Sequence, residues 1–548
     1  MHSLRSDNHQ STGQQVTDTA ISLIGLLEAE SGIRQFVDNQ RLDRASRARF
    51  YTKENLGRRV YTEPDIHCQT SSRMRTIPAL LLITLLPGLL LAQTKTASPS
   101  PSLVLTHVTV IDVTRGRAMS DMTVLTEGEH ISALGRAGKI KVPQGAQVID
   151  ATGKYLIPGL WDMHVHEWNK EVFFPLFIAN GITGVRDMFS PLSPIKQWRA
   201  EIAAGTTIGP HIYAAGILID GPYPFCKPCT IAVSNADEGR KAVLKVKEMG
   251  ADFVKVYSMV PRDAYFAIAD EAKRQHIVFA GHVPEFVSAA EASDAGQKSI
   301  EHLMGVLLAC SAKEAELRKE NEAQLRAEGI RGDTAMLEQA AALDSFDEKK
   351  AAALFARFVK NGTWMCPTLS VLRAVAFSGD ADFRSDPRIK YIPDFLKQQF
   401  WEDAYGWKEH TPEFNAQAKR VFQKQLELVG MMNRAGVRII AGTDTPNPYV
   451  FPGFSLHDEL ALLVQAGLTP AEALRTATIN PAKYFDVEKS LGTVEKGKMA
   501  DLVLLDANPL TDINNTRKIA AVISGGRYLP KETLQKMLAE VEAIVNKK

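Results

Sequence analysis

Five cysteines in 548 residues are too few for a disulfide framework to hold the fold together. Net charge is also missing. Sixty-four Lys and Arg against 63 Asp and Glu leave +1, so no bulk field draws the chain to nucleic acid or anionic lipid. No basic tract with interleaved aromatics occurs, which sets nucleic-acid binding aside. Long apolar runs are absent except one, residues 77–91 (IPALLLITLLPGLLL). That run is short for a membrane span and is broken by Pro78 and Pro87. It follows Met74-Arg75 and precedes a polar Ser/Pro stretch, so residues 74–92 read as a secretory signal cut after Ala92, although Leu90 is larger than such a site favours. The expected location is therefore periplasmic or secreted, with no membrane span left after processing. Because a signal belongs at an N-terminus, translation is expected to start at Met74, and residues 1–73 are expected to be a non-native or disordered extension. The alternative is a genuine extension followed by a membrane-anchoring segment. No cysteine stands near the cut, which argues against a lipid anchor.

What is present is an ordinary globular balance, 45% hydrophobic and 23% charged, on a chain long enough for a large domain plus an accessory one. After a linker at 93–101, short alternating strands occupy 102–157 and recur at 490–530, and the chain ends in a helix at 531–548. Strand-rich ends around a long α/β middle predict a small β-sandwich domain built from both ends. In the middle, residues 158–489, eight short apolar strands alternate with helical stretches: 160–166, 183–189, 211–219, 252–258, 277–283, 299–303, 364–370 and 438–445. Eight such repeats predict an α/β fold of the (β/α)8 TIM-barrel type. A doubly wound open sheet is the structural alternative, disfavoured because no glycine-rich phosphate loop follows the first strand. A charged helical insert at 305–361 reads as a lid or substrate-side wall, or as outer decoration. Cys226 and Cys229 could be a redox pair, a small loop-stiffening disulfide or two unrelated thiols. No thioredoxin-like βαβ pattern surrounds them, which favours the structural readings.

Six side chains able to bind metal fall near the C-terminal ends of five of these strands. His164 and His166 end the first, and at a spacing of two they share one side. His282 ends the fifth, His302 the sixth and Asp444 the eighth, while Lys255 lies in the fourth. A barrel brings such ends together. Neutral imidazoles and carboxylates suit zinc and its neighbours, whereas a bare ammonium would repel a cation. Lys255 fits such a site only as a carbamate, carboxylated by CO2; taken alone it reads more simply as a snorkelling or ion-paired lysine. Of the other histidines, His457 and the rest read as structural, and Arg186-Asp187 reads more as an ion pair than as a lining of the mouth.

The first strand, IPGLWDMHVH, resembles the His-x-His signature of the amidohydrolase superfamily. The ordered set of Lys in strand four, His in five and six and Asp in eight is similar to its binuclear pattern. VIDATGKYLIPGLWD, DFVKVY, LTPAEALRTATINPAKYF and LGTVEKGKMADLVLLDANPL place the likeness in the imidazolonepropionase-like and prolidase-like (Xaa-Pro/Xaa-Arg dipeptidase-type) branch, over about residues 102–528. The resemblance implies two divalent metal ions, zinc by default. His164, His166 and Asp444 would hold the more buried one, His282 and His302 the other, and carboxylated Lys255 would bridge them. It further implies a metal-bridging hydroxide as nucleophile, with Asp444 passing its proton to the leaving amine. Tyr257, two residues after Lys255, would bind a substrate carboxylate. Two departures touch the substrate side: Val283-Pro284 after His282, and the long insert after His302. Lys255 also argues against imidazolonepropionase activity, which is mononuclear. The expectation is an exported metal-dependent hydrolase of dipeptides or N-acyl amino acids, acting on small molecules, with a homo-oligomer as one form of assembly. The alternatives are a lactonase or cyclic-amide hydrolase with the same metals, and a catalytically silent binding protein.

Overall fold

A computed structural model describes residues 102–222, 224, 226–328, 332–401 and 410–547. The expected extension, signal and linker lie outside those residues.

Eight strands drawn from both ends of the described chain form one sheet. From the N-terminal side come β1 (Leu103–Asp112), β2 (Arg117–Glu127), β3 (His130–Arg136), β4 (Gln147–Asp150) and β5 (Tyr155–Pro158). Much later in the chain come β16 (Leu502–Leu505), β17 (Ile519–Ser524) and β18 (Arg527–Pro530). The order is β18-β17-β16-β5-β1-β2-β3, with β4 on β1, and β5 pairs antiparallel with β16 through Val503 and Ile157. The sequence LVLL of β16 is apolar throughout because both its faces are covered. Leu502 and Leu504 enter the core of the sheet domain, whereas Val503 and Leu505 enter the core of the neighbouring α/β domain. A two-residue period thus joins the two cores through one strand.

The α/β domain is a (β/α)8 barrel. Its staves are β6 (Leu160–Val165), β7 (Ile182–Asp187), β8 (His211–Ala214) with β9 (Leu218–Asp220), β11 (Phe253–Val256), β12 (Val278–Gly281), β13 (Ser299–Glu301), β14 (Trp364–Cys366) and β15 (Arg438–Ile439); β10 (Thr230–Ala232) flanks β9. All neighbouring pairs are parallel. The segment after β15 lies along β6: Met163 N donates to Ala441 O (2.9 Å), Asp444 N to His164 O (2.8 Å) and His166 N to Thr445 O (2.9 Å). The predicted third strand is split where Gly216 adopts φ +71°, so that β8 pairs with β7 and β9 with β11. The predicted seventh strand is shorter than expected. Pro367 cannot donate to a ladder, Thr368 is left-handed, and a helix begins at Leu369.

The insert comprises helices Val306–Ala309, Glu314–Glu328, Gly332–Asp344 and Glu348–Asn361. The second of these stands against the loop that follows β12: Arg318 donates to Val287 O (3.2 Å) and Asn321 to Glu285 Oε2 (3.1 Å). It therefore packs on the loop that leaves the C-terminal end of β12. A second block of short helices over residues 369–401, after β14, was not expected from the sequence. Asp458, on helix Phe454–Gln465, clamps it. Its carboxylate accepts from Arg373 (3.3 Å), Arg388 (2.8 Å) and Arg517 (2.8 Å). Burial pushes the Asp458 carboxyl up, but these guanidiniums pull it further down, to a net value below the ordinary one. A lowered folded-state pKa gives stabilisation that is complete above the ordinary carboxylate value and is lost as pH falls through the lowered one. Asp458→Asn should therefore cost about 2 kcal/mol in urea unfolding at pH 7, with the gap to wild type closing as the pH is taken below about 4.

Candidate metal centre

The imidazoles of His164 and His166 point to one side because β6 is extended between them. Asp444 reaches the same point from the eighth stave, where its backbone is left-handed (φ +66°). Asp444 Oδ1 lies 2.9 Å from His166 Nε2 and 3.3 Å from His164 Nε2, and ligand atoms of the three residues all fall within 4.8 Å of one another. The His302 ring stands 4.5 Å from that of His164 and 4.9 Å from that of His282, and its Nδ1 is 3.8 Å from Asp444 Oδ2. Lys255 is buried among these groups at 1% exposure. Gly281 (φ +131°) makes room for it, since a Cβ there would collide with the Val256 carbonyl and sit 2.9 Å from Lys255 Cδ. All six expected ligands are thus brought together.

The electrostatics favour the metal-binding forms of His164, His282, His302 and Asp444. Burial, and then Lys255, lower the pKa values of His164 and His282 well below the usual imidazole range, and burial brings His302 to about 4. Neutral imidazoles result, as metal ligation needs. For Asp444, burial raises the carboxyl, but His302, His166 and Lys255 outweigh it and keep it ionised. Burial brings Lys255 down to about 8, which raises its share of free amine, the form that can take up CO2.

A supporting layer fixes the rings. His164 Nδ1 faces Glu301 Oε2 (2.9 Å), which also accepts from Arg186 Nη2 (2.7 Å). Ser299 Oγ binds Glu301 Oε1 (2.5 Å). Ser258 Oγ meets His282 Nδ1 (2.8 Å), and Thr368 Oγ1 meets His302 Nδ1 (2.7 Å). Such contacts fix which imidazole nitrogen is left for a metal. Cys366 also approaches His164 and Glu301 within 4.8 Å, but both Glu301 oxygens are taken and burial holds the thiol well above its usual pKa, so this trio is support rather than a second centre. Asp162 ties the staves together by accepting from Thr443 Oγ1 (2.7 Å) and from His164 N (3.2 Å).

Sequence reasoning missed Glu301, Ser258, Thr368 and Asp162. The available signal was polar residues on the inward period of apolar strands: Ser299 and Glu301 in SIEH, and Asp162 two before His164. Arg186 is structural as expected, but its ion-pair partner is Glu301, against which it is fully buried; Asp187 instead accepts from Glu167 N and Ser190 Oγ. His457 is structural, with Nδ1 at Thr516 Oγ1 (2.9 Å) and Nε2 at the Asn180 carbonyl (3.1 Å). Tyr257 stacks on His282 with ring centroids 4.2 Å apart. Cys226 and Cys229 form a disulfide.

The profile of the amidohydrolase family (Amidohydro_1) matches residues 155–529, more than half of the chain. The chain belongs to the amidohydrolase family. Among curated relatives of this amidohydrolase, an imidazolonepropionase of Treponema denticola is 43% identical over 77 residues, 14% of this chain and only 18% of that one. The chain thus spans under a fifth of that relative's length. Ochratoxinase of Aspergillus niger is 22% identical over 439 residues, 68% of this chain and 75% of its own. Among solved structures, bottromycin amidohydrolase superposes with a TM-score of 0.66 at 21% identity, covering 81% of this chain and 91% of its own. A Xaa-Pro dipeptidase with bound methionine gives 0.58 at 21%, covering 78% and 100%. At these identities the solved structures show a shared fold. The family is generally metal-dependent, and the donor set fits: nitrogen and oxygen donors of His164, His166 and Asp444 converge on one point, burial keeps His164 neutral, and His302, His166 and Lys255 keep Asp444 ionised against its burial.

Proposed function

We propose that this amidohydrolase is an exported, metal-dependent hydrolase of amide bonds in dipeptides or N-acyl amino acids. The observation that carries the reading is the convergence of four imidazoles, Asp444 and a buried lysine at the barrel mouth. His164, His166 and Asp444 would hold one divalent ion, His282 and His302 a second, with Lys255 as a carbamate between them and zinc the metal that suits the donors. Two such ions supply Lewis acidity toward the scissile carbonyl and make water acidic.

The chain's own groups do the rest. Asp444, ionised and in contact with His166, takes the proton released by the attacking water and delivers it to the leaving amine. Glu301 and Arg186 hold His164 in register, and Ser258 does the same for His282. Tyr257, stacked on the His282 ring, would receive a substrate carboxylate.

Periplasmic or secreted location is part of the proposal. Support comes from the leader-like residues 74–92 and from the Cys226–Cys229 disulfide, which suits an oxidising compartment. No helix among the described residues is long and apolar enough to cross a membrane.

Elemental mass spectrometry on gently purified protein should find about two divalent ions per chain. Stripping them with a chelator should abolish hydrolysis of a dipeptide and acyl-amino-acid panel, and zinc with bicarbonate should restore it. A metal-free chain that hydrolyses the panel at full rate would remove the reading. A metal-free, inactive chain that no metal rescues would favour a silent fold.

A further inference from the structure

His302 owes its hydrogen bond to a residue that would ordinarily spend it elsewhere. Thr368 is the N-cap of helix Leu369–Phe377, and an N-cap threonine normally turns its hydroxyl onto the free N–H groups of its own helix. Here it makes no such bond. Its backbone is left-handed (φ +46°), a conformation that a β-branched residue adopts only when its surroundings impose it. The hydroxyl stands instead 2.7 Å from His302 Nδ1 and 2.8 Å from the Pro367 carbonyl. A carbonyl can only accept, so the single hydroxyl proton goes to Pro367 and a lone pair is left for His302 Nδ1–H. This network assigns the ring proton to Nδ1 and leaves Nε2 free for a metal.

The capping that Thr368 leaves undone is supplied by Glu459, from helix Phe454–Gln465. Glu459 Oε1 accepts from Leu369 N (2.9 Å), and Oε2 from Ser370 N (2.7 Å) and Ser370 Oγ (2.9 Å). Those are the first two N–H groups of the capped helix, and the acid that receives them is fully buried. Burial pushes its carboxyl up to about 8 even against these bonds, so an apolar side chain would fill the space at lower cost. Asp458, the residue before it, already clamps the block after β14 through Arg373 and Arg388. Anchoring of that block therefore does not account for a second buried acid.

We infer that Glu459 is a positioning residue for the second metal: by capping helix Leu369–Phe377 in place of Thr368, it frees the Thr368 hydroxyl to hold His302 with Nε2 open to the ion. The inference rests on the two-ion reading above. Without Glu459, the Thr368 hydroxyl is drawn back to its own helix. His302 then loses the partner that sets its tautomer, while the contact of His164 with Glu301 stays in place.

The test uses the full chain, stripped with a chelator and titrated with zinc in bicarbonate buffer by calorimetry. Wild type should take up about two ions per chain. Glu459→Met keeps the volume and none of the acceptors. It should weaken the second ion about 10- to 100-fold and leave the first within about threefold. Glu459→Gln keeps one acceptor and should recover part of the loss. Should Glu459→Met not fold, Glu459→Gln carries the test with a second-ion loss of at least about fivefold. Thr368→Val should weaken the second ion to a similar degree. Adding Glu459→Met to it should cost no more than about a further twofold, because the two residues act in series. Asp458→Asn, which loosens the same block, should leave both affinities within about threefold. An unchanged second ion in the Glu459 variants, equal weakening of both ions, additive losses in the double variant, or an equal second-ion loss in Asp458→Asn overturns the inference. Should wild type bind fewer than two ions, the two-ion reading has failed. The inference is then read on the metal-free protein by nitrogen NMR of isotope-labelled histidine. Wild type must show His302 as the Nδ1–H tautomer and Glu459→Met, or Glu459→Gln in its place, a mixture; an unchanged tautomer also overturns it.

Discussion

Asp444→Asn should leave a folded protein with kcat/KM at least about 1,000-fold below wild type. Two losses combine. The amide cannot hold the proton taken from water, and it is a weaker, neutral ligand where His164 and His166 meet a carboxylate at 3.3 and 2.9 Å. The fold should survive, because the backbone of Asp444 is fixed independently by its N–H bond to the His164 carbonyl, and Asn tolerates the left-handed conformation that Asp adopts there. Thermal melting within a few degrees of wild type, with rates measured across the substrate panel, checks both halves. Full activity in Asp444→Asn would show that another group moves the proton.

Glu301→Ala should have the largest effect on stability, about 3–5 kcal/mol in denaturant unfolding. Arg186 and Glu301 are both fully buried, so removal of the carboxylate leaves a guanidinium with no counter-charge at 2.7 Å. The same change frees His164 Nδ1, and metal affinity should fall about 10- to 100-fold. Glu301→Gln keeps an acceptor for both donors and should recover part of each loss. A destabilisation under about 1 kcal/mol for Glu301→Ala would mean that the arginine finds another partner in the barrel.

Much of this arrangement was legible before any coordinates. Periodicity gave the eight staves, since a strand buried on both faces reads as a short apolar run. The six candidate ligands could be picked out because each ends or sits within such a run, and barrel geometry gathers strand ends at one face. The supporting layer was harder to see. Ser258 and Thr368 are ordinary hydroxyl residues whose meaning comes only from the imidazole nitrogen opposite each. Glu301 and Arg186 are far apart in the chain and could be paired only in three dimensions. The block after β14 escaped notice because its elements are short, as at Ala381–Arg384 and Pro387–Tyr391, and four or five residues carry no readable helical period. The broken third stave was hidden because Gly216 is a single residue in an otherwise apolar run, and only its positive φ divides it.

The strand that joins the two cores has a further consequence for how the molecule is made. β5 must wait for β16, because Pro158 pairs with Leu502 across the entire barrel sequence. A ribosome therefore releases nearly all of the chain before the first sheet can close, and the apolar edge of β5 remains open in the meantime. Contacts of such long sequence separation slow folding and prolong exposure of sticky surface. A truncation before residue 502 would leave β5 and the floor of the barrel without their cover. The last tenth of this chain, away from the candidate metal centre, thus acts as the latch that decides when the rest can become native.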